Sequence, residues 1–395
     1  MSRSERLGRA FIYLQTLGVA LGCALSVYLV DRFYVRRHIS DAGLAFGYAF
    51  CLTEGSMILI LLALSVVIKY VRHRRDLRFE RVQPLIVAGA SAHLSGADRC
   101  AELRAFRRRY PREVEQCLSE LLLRVRGVAS VRLTSLTAEL GLVNSWKRQA
   151  RSRLVSKRRD AITRLGLLAG DAARDALVQA LDDPHDEVKL EASRALISAG
   201  GMAEVAAVFR TALRDSLLVR AILTEALRPY APLLCESAVP DALAGKDART
   251  VRIALEIVRA WRKSMPLAGV QPLIRHTDGA VRAAALAIVP QLASPRELEP
   301  DLLECLADEE ESVRAAAAGA AGEMRLASAL PALEACLHRG GPDATISAAY
   351  AIARIGEQGW RILEKLILGS RSPAADAALE ALEQARSERL LPGTV

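Results

Sequence analysis

The sequence predicts an all-α chain, an N-terminal transmembrane helical hairpin followed by an α-solenoid of helix pairs. Three observations predict it. Two long apolar runs, Ala10–Val30 and Ala42–Ile68, occupy the N-terminal region. Farther on, a Val-Arg or Val-Lys pair opening an Ala-rich stretch recurs at Val188, Val219, Val251, Val281 and Val313. The intervals are 31, 32, 30 and 32 residues, and self-similarity at a period of about 20–50 residues marks stacked repeats. The repeat region also lacks the two-residue alternation of a strand. Of the 395 residues, 51% are hydrophobic and 25% charged, a balance that excludes an intrinsically disordered chain.

Each apolar run reaches the ~20 residues that a helix needs to cross a bilayer core, and residues 1–81 are read as a two-span anchor. The segment between the runs, DRFYVRRHISD, is short enough to force an antiparallel return. Arg3, Arg6 and Arg9 precede the first run, and Lys69, Arg72, Arg74, Arg75, Arg78 and Arg81 follow the second. The loop holds only Arg32, Arg36 and Arg37. This excess of basic flanks predicts both termini on the cytoplasmic side. Abundant Ala and a preference for Arg over Lys suggest a bacterial source, so the expected place is the inner (cytoplasmic) membrane, as a multi-pass protein. Small residues recur at four-residue spacing, Gly18, Gly22 and Ser26 in the first run and Gly43, Gly47, Cys51 and Gly55 in the second. Such stripes let membrane helices approach closely, either within the hairpin or against another membrane protein. Glu54 falls near the middle of the second run, where a carboxylate needs a hydrogen-bond partner within the hairpin or on a neighbour.

Residues 82–142 read as a basic juxtamembrane helical segment. Between 69 and 165 the net charge is +14, whereas from 166 onward it is −7, an asymmetry more telling than the total of +9. Basic residues beside a cytoplasmic span attract anionic lipid headgroups at ~1 kcal/mol each, and Arg72, Arg74, Arg75, Arg107, Arg108 and Arg109 are the expected lipid-facing cluster. An acidic protein partner is the second reading. Nucleic acid is disfavoured, because few aromatic residues interleave with the basic ones. Val114, Cys117, Leu118, Leu121, Leu122 and Val125 mark one apolar face of a helix that Pro111 opens and Gly127 ends. A second helix is expected over Val128–Leu140, closed by Gly141.

The solenoid is expected over 143–395, with about seven to eight repeats. In the unit Asp171–Gly201 the first helix is DAARDALVQALDD, the turn PHD and the second helix EVKLEASRALISAG, ending on a glycine C-cap. Neither helix can bury its apolar stripe alone, and stacking supplies the cover. The ~31-residue two-helix unit, with Asp in the turn and Val-Arg at the start of the second helix, resembles HEAT repeats, in particular the short bacterial type that phycobilin lyases also use. The most specific part of the resemblance is Asp183, Asp215, Asp247, Asp278 and Asp308, followed four to six residues later by Lys189, Arg220, Arg252, Arg282 and Arg314. The resemblance implies that these residues form an inter-repeat ladder, a structural row and not a binding row. Units near Thr345 and Ala374 lack the Arg, as capping repeats do.

No phosphate-binding, dinucleotide-binding, nucleophile-elbow or zinc-protease motif is present in the sequence. The seven cysteines are dispersed without a CxxC pair and read as buried thiols. No catalytic residue, cofactor or metal is expected. The expected function is therefore a membrane-anchored, non-catalytic scaffold or accessory subunit whose solenoid binds a protein partner. A membrane enzyme such as a polysaccharide glycosyltransferase is one candidate partner. The alternatives are a simple tether that recruits a soluble client, and a HEAT-like enzyme of the lyase or nucleic-acid-modifying type.

Overall fold

The computed structural model describes residues 22, 28, 32 and 42–390, without 97–98, 169–170, 263–268, 340 and 370–371; for some of these, including all of 42–53, only the backbone is described. All regular structure among the described residues is helical. The chain divides into two compact units, Met1–Leu142 and Val143–Val395.

The first unit opens on α1 (Ala42–Leu94), one helix of 53 residues. It is followed by α2 (Cys100–Arg109), α3 (Pro111–Arg124) and α4 (Val128–Glu139). Among the described side chains of α1, the buried ones lie in its C-terminal part. Val82, Ile86 and Ala90 are buried with Cys100 and Leu103 of α2, Val114, Cys117, Leu118 and Leu122 of α3, and Leu133 and Leu136 of α4. The periodic face read from the sequence is thus the face that α3 buries. Pro111 stands at the first turn of α3, where its missing N–H costs no hydrogen bond. Gly127 and Gly141, either side of α4, have φ of +67° and +69°, a conformation that a side chain would strain. Arg132 donates from Nη1 to the Leu94 carbonyl at 2.7 Å, meeting one of the carbonyls that a helix end leaves open.

The membrane placement predicted from the sequence is overturned. Among the described residues no helix is long and apolar enough to cross a membrane, so a multi-pass protein with two cytoplasmic termini is not supported. Of the first expected span only Gly22 and Tyr28 are among the described residues. The second is not a separate element: the helix begun at Ala42 continues unbroken through the basic sequence RHRRDLRFER to Leu94. The apolar run was bounded by composition, whereas the element is bounded by helical hydrogen bonding, which the following arginines sustain as well as leucines do. Met57, Ile58, Ile60, Leu61, Leu62, Leu64, Val67 and Ile68 are exposed along α1.

The second unit is an α-solenoid. Its helices are α5 (Leu142–Gln149), α6 (Val155–Leu165), α7 (Arg174–Ala180), α8 (Asp186–Ala199), α9 (Met202–Arg214), α10 (Leu217–Leu227), α11 (Ala231–Glu236), α12 (Ala238–Leu243), α13 (Ala248–Trp261), α14 (Gln271–Ile274), α15 (Gly279–Leu286), α16 (Glu299–Cys305), α17 (Glu311–Glu323), α18 (Leu330–Arg339), α19 (Pro342–Ile355), α20 (Glu357–Gly369) and α21 (Pro373–Leu390). The second helices of successive repeats, from α6 and α8 to α19 and α21, stack on one another. The recurrent valines explain why: Val188, Val219, Val251, Val281 and Val313 are all at most 1% exposed. Burying each contributes roughly 1.5–3 kcal/mol. The expected first helix of the unit at Asp171 is shorter than its sequence suggests, a 3₁₀ turn over Asp171–Ala173 and then α7. Its second helix, α8, ends as expected on Gly200 at φ +73°.

Toward the C-terminus the stack tightens through small residues. Ala317, Ala318, Ala321 and Gly322 of α17 face a layer that includes Ala348, Ala349 and Ala351 of α19, all buried. A Cβ at Gly322 would lie 2.6 Å from the Ala351 Cα, so only glycine permits this approach.

Cys100, Cys117, Cys235, Cys305 and Cys336 are buried thiols outside any disulfide. Burial pushes the Cys117 and Cys305 thiols up to about 11 and raises Cys235 and Cys336 in the same direction. Only the thiolate reacts. Iodoacetamide at pH 8 followed by peptide mass spectrometry should therefore leave these five positions unmodified in the native protein and label all of them in denaturant. Labelling of native Cys117 or Cys305 at the denatured rate would contradict the buried assignment.

Candidate functional site

The site candidates of the second unit are built where each second helix begins. There the turn Asp of one repeat faces the Arg or Lys of the repeat before it. Arg158 of α6 forms the first rung, donating from Nε and Nη2 to the two carboxylate oxygens of Asp183 at 2.7 and 2.9 Å. Its Nη1 donates to the Ser152 and Arg153 carbonyls, so one guanidinium ties its own turn to the next. Lys189 pairs with Asp215 and, at 3.3 Å, with Asp186. Arg282 repeats the geometry of Arg158: Nε and Nη2 reach Asp308 at 3.0 and 2.8 Å, and Nη1 donates to the His276 and Thr277 carbonyls.

These carboxylates have a characteristic electrostatic balance. Burial alone would raise Asp183, Asp215 and Asp308. The hydrogen bonds from Arg158, Lys189 and Arg282, the backbone N–H of His185, Ser216 and Glu310, and the nearby positive charges outweigh it and hold all three below the ordinary value of 3.8.

Two rungs that the sequence pairs are not made. Arg220 does not reach Asp247, and Arg252 does not reach Asp278. Both aspartates instead cap their own helices: Asp247 accepts from the Arg249 and Thr250 N–H groups, and Asp278 from Ala280 and Val281. The reason for the difference is Glu256. It sits at i+4 from Arg252 and accepts its Nη1, and its other oxygen lies 3.9 Å from Arg220 Nη1. The carriers of formed rungs have Ile162, Ser193 and Leu286 at the same offset, none of which competes. Arg314 donates to the Asp308 and Glu309 carbonyls at 2.7 and 2.8 Å, while Glu311 accepts the N–H of Asp343 at 2.8 Å in place of a rung. The rung of Arg158 was missed in the sequence because a lysine stands where the other repeats have valine. The 31-residue step back from Val188 lands on Lys157 in KRRDA, a degenerate copy of the repeat, and the neighbouring Arg158 carries the rung.

Beside the rungs, the exposed row of second helices changes character along the stack. At α6 and α8 it is polar: Arg159 pairs with Glu187 at 3.2 Å, and the Thr163 hydroxyl donates to Glu191 at 3.0 Å. At α10 it turns apolar, with Leu217, Leu218 and Ile222 exposed by 77, 67 and 44%. A cavity of about 420 Å³ lies at the turns below α15, lined by Arg275, Arg282, Asp301, Glu304, Cys305 and Asp308 among others. Arg275 holds Asp301 at 2.7 Å and Arg282 holds Asp308. The cavity's ionic groups therefore answer one another, and its thiol stays protonated at neutral pH. Among the described residues no group of His, Cys, Asp or Glu side chains is placed to hold a metal ion.

In the first unit the expected residues do not converge. Gly18 and Ser26 lie outside the described residues, and Gly43 and Gly47 are described only as backbone of α1. Among the described residues, a Cβ at Gly22 or Gly55 would meet nothing within 4 Å. Glu54 is exposed. Arg72 and Arg74 are exposed on α1, and Arg74 lies over the Tyr70 ring and donates to its hydroxyl at 2.9 Å. Of Arg75 only the backbone is described. Arg108 and Arg109 are exposed on α2, whereas Arg107 is half-buried and reaches the Gly141 carbonyl at 3.4 Å. It serves the fold of the unit.

Comparison with known proteins agrees with this architecture. The family described as HEAT repeats matches residues 267–354. No curated protein matches the chain. Among solved structures, human deoxyhypusine hydroxylase in complex with glycerol is similar at 17% identity and a TM-score of 0.28, over 63% of this chain and 97% of that one. Kap121p bound to Ste12p is similar at 13% identity and a TM-score of 0.39, over 80% and 47%. Kap95p in a study of its binding to RanGDP is similar at 12% identity and 0.36, over 80% and 58%. The chain thus spans about half the length of the Kap121p and Kap95p chains it matches. The HEAT repeat match thus covers residues 267–354, within a second unit whose described residues form an all-helical stack of helix pairs.

Proposed function

We propose that the chain is a non-catalytic scaffold whose solenoid binds a protein partner along the row of second helices. The observation that carries this reading is the exposed run from the polar pairs of α6 and α8 to the apolar first turn of α10. Solenoids build extended binding surfaces from such rows, and clustered exposed apolar side chains rimmed by charge mark protein interfaces. The glycosyltransferase and lipid partners expected from the sequence depended on the membrane placement and have no support without it. Lysine cross-linking of the full-length chain in its native cells, read by mass spectrometry, tests the proposal. A partner should be recovered whose cross-links map to the second helices or the turns that begin them. The absence of any partner above an untagged control, or cross-links confined to first helices, would contradict it.

A further inference from the structure

The two unmade rungs are adjacent, and they leave a buried donor behind, as the rungless Arg314 does with its own Nε. Arg220 Nε is buried without a hydrogen-bond partner, in a side chain only 13% exposed. In the formed rungs of Arg158 and Arg282 the same nitrogen is taken by the Asp of the next repeat. An unsatisfied buried donor costs its full desolvation, so native structures rarely keep one without a reason. Here the residue that would satisfy it, Asp247, is exposed on the first turn of the next second helix. The two are 27 positions apart, against 25 or 26 in the formed rungs, so the added length is one residue.

The polar contacts across this junction differ between its two ends. The C-terminal ends of α10 and α13 are locked: Trp261 Nε1 donates to the Thr224 carbonyl at 2.8 Å, and its ring lies 5.9 Å from that of Phe209. Toward the N-terminal ends the buried Val219 and Val251 pack in the stack, and among the described residues the ion pair between the two helices is Arg220 with Glu256, farther along α13, at 3.9 Å. The first helix that precedes α13 is itself broken into α11 and α12 at Ser237, so the turn bearing Asp247 rests on two short pieces and not on one rigid helix.

We propose that the α10–α13 junction is a latch with two states. In one, shown by the structure, Glu256 engages Arg252 and Arg220 and the rung stays open. In the other, Asp247 takes Arg220 Nε and Nη2 as Asp183 takes Arg158, and the two helices close about the Trp261 pivot. Glu256 holds the latch open, and the latch sets how the repeats before Arg220 stack on those after Asp247.

The test is a distance measurement by pulsed electron resonance on the full chain. Nitroxides are attached at Leu218→Cys and Arg249→Cys, two exposed positions at the open ends of α10 and α13, with Cys23 and Cys51 replaced by serine. Three backgrounds are compared: otherwise wild type, Glu256→Gln, and Glu256→Gln with Asp247→Asn. Asn caps a helix as well as Asp does, and Glu256 is on the surface, so neither change threatens folding. The expected result is a shift to shorter distances in Glu256→Gln that Asp247→Asn reverses. A distribution in Glu256→Gln that matches wild type, or a shift that survives Asp247→Asn, would overturn the latch. Either failure leaves the scaffold proposal to its own cross-linking test.

Discussion

Gly359→Ala is expected to destabilise the C-terminal end of the solenoid by about 3 kcal/mol, at the upper end of overpacking effects. Gly359 is buried where α20 turns back across the last turn of α19. A Cβ there would lie 1.9 Å from the Ile352 carbonyl oxygen and 2.8 Å from its carbon. Both are backbone atoms, so no rotamer change relieves the clash. The helix must swing away, which breaks the Trp360 Nε1 hydrogen bond to the Ala353 carbonyl and uncovers Leu363. Because each repeat contacts only its neighbours, the loss should be local. Hydrogen exchange should rise sharply over 342–369 and little over 186–227. Gly319→Ala is the control: its Cβ meets nothing within 4 Å, and removing a helix-interior glycine should stabilise by about 0.5–1 kcal/mol. Equal effects of the two substitutions would contradict the close crossing of α19 and α20.

Asp308→Ala is expected to cost about 2–4 kcal/mol at pH 7, more than Asp247→Ala, which removes a helix cap worth about 1 kcal/mol. Asp308 accepts three hydrogen bonds, two from Arg282 and one from the Glu310 N–H. Removing it strands a guanidinium only 16% exposed. The pH dependence follows from the direction of its shift. The folded-state carboxyl titrates below the ordinary value of 3.8, so the folded protein binds its proton less readily than the unfolded chain does. The stabilisation is therefore complete above the ordinary value and is lost as pH falls through it and on through the folded-state value. Urea unfolding of both variants at pH 7 and pH 3 checks this: the gap between wild type and Asp308→Ala should narrow at pH 3, and a gap that widens would contradict the paired carboxylate.

The repeat architecture was legible because its signal is redundant. Five valines at nearly constant spacing each report the same buried position, so the failure of any one copy does not hide the period. The ladder was legible only in part. Residue identity marked Arg220 and Arg252 as rung carriers, but whether a rung forms depends on competitors within hydrogen-bond reach, and the significance of Glu256 emerges only when α13 places it beside two arginines at once. The N-terminal reading failed for a different reason. Hydropathy bounded two apolar segments, yet the helix starting at Ala42 takes its length from hydrogen bonding that continues through a charged sequence. Exposed polar side chains carry little sequence signal of partnership, so the row on α6 and α8 was not anticipated either.

The measurement that bears most directly on the scaffold reading compares cross-linked partners of the wild-type chain with those of Leu218→Glu. Leu218 is 67% exposed on the first turn of α10, so the substitution leaves the stack intact while placing a charge in the middle of the proposed face. The account predicts a partner captured by wild type, with cross-links on the second-helix row, and lost or strongly reduced with Leu218→Glu. Equal recovery of the same partner by both chains, with cross-links elsewhere, would contradict it.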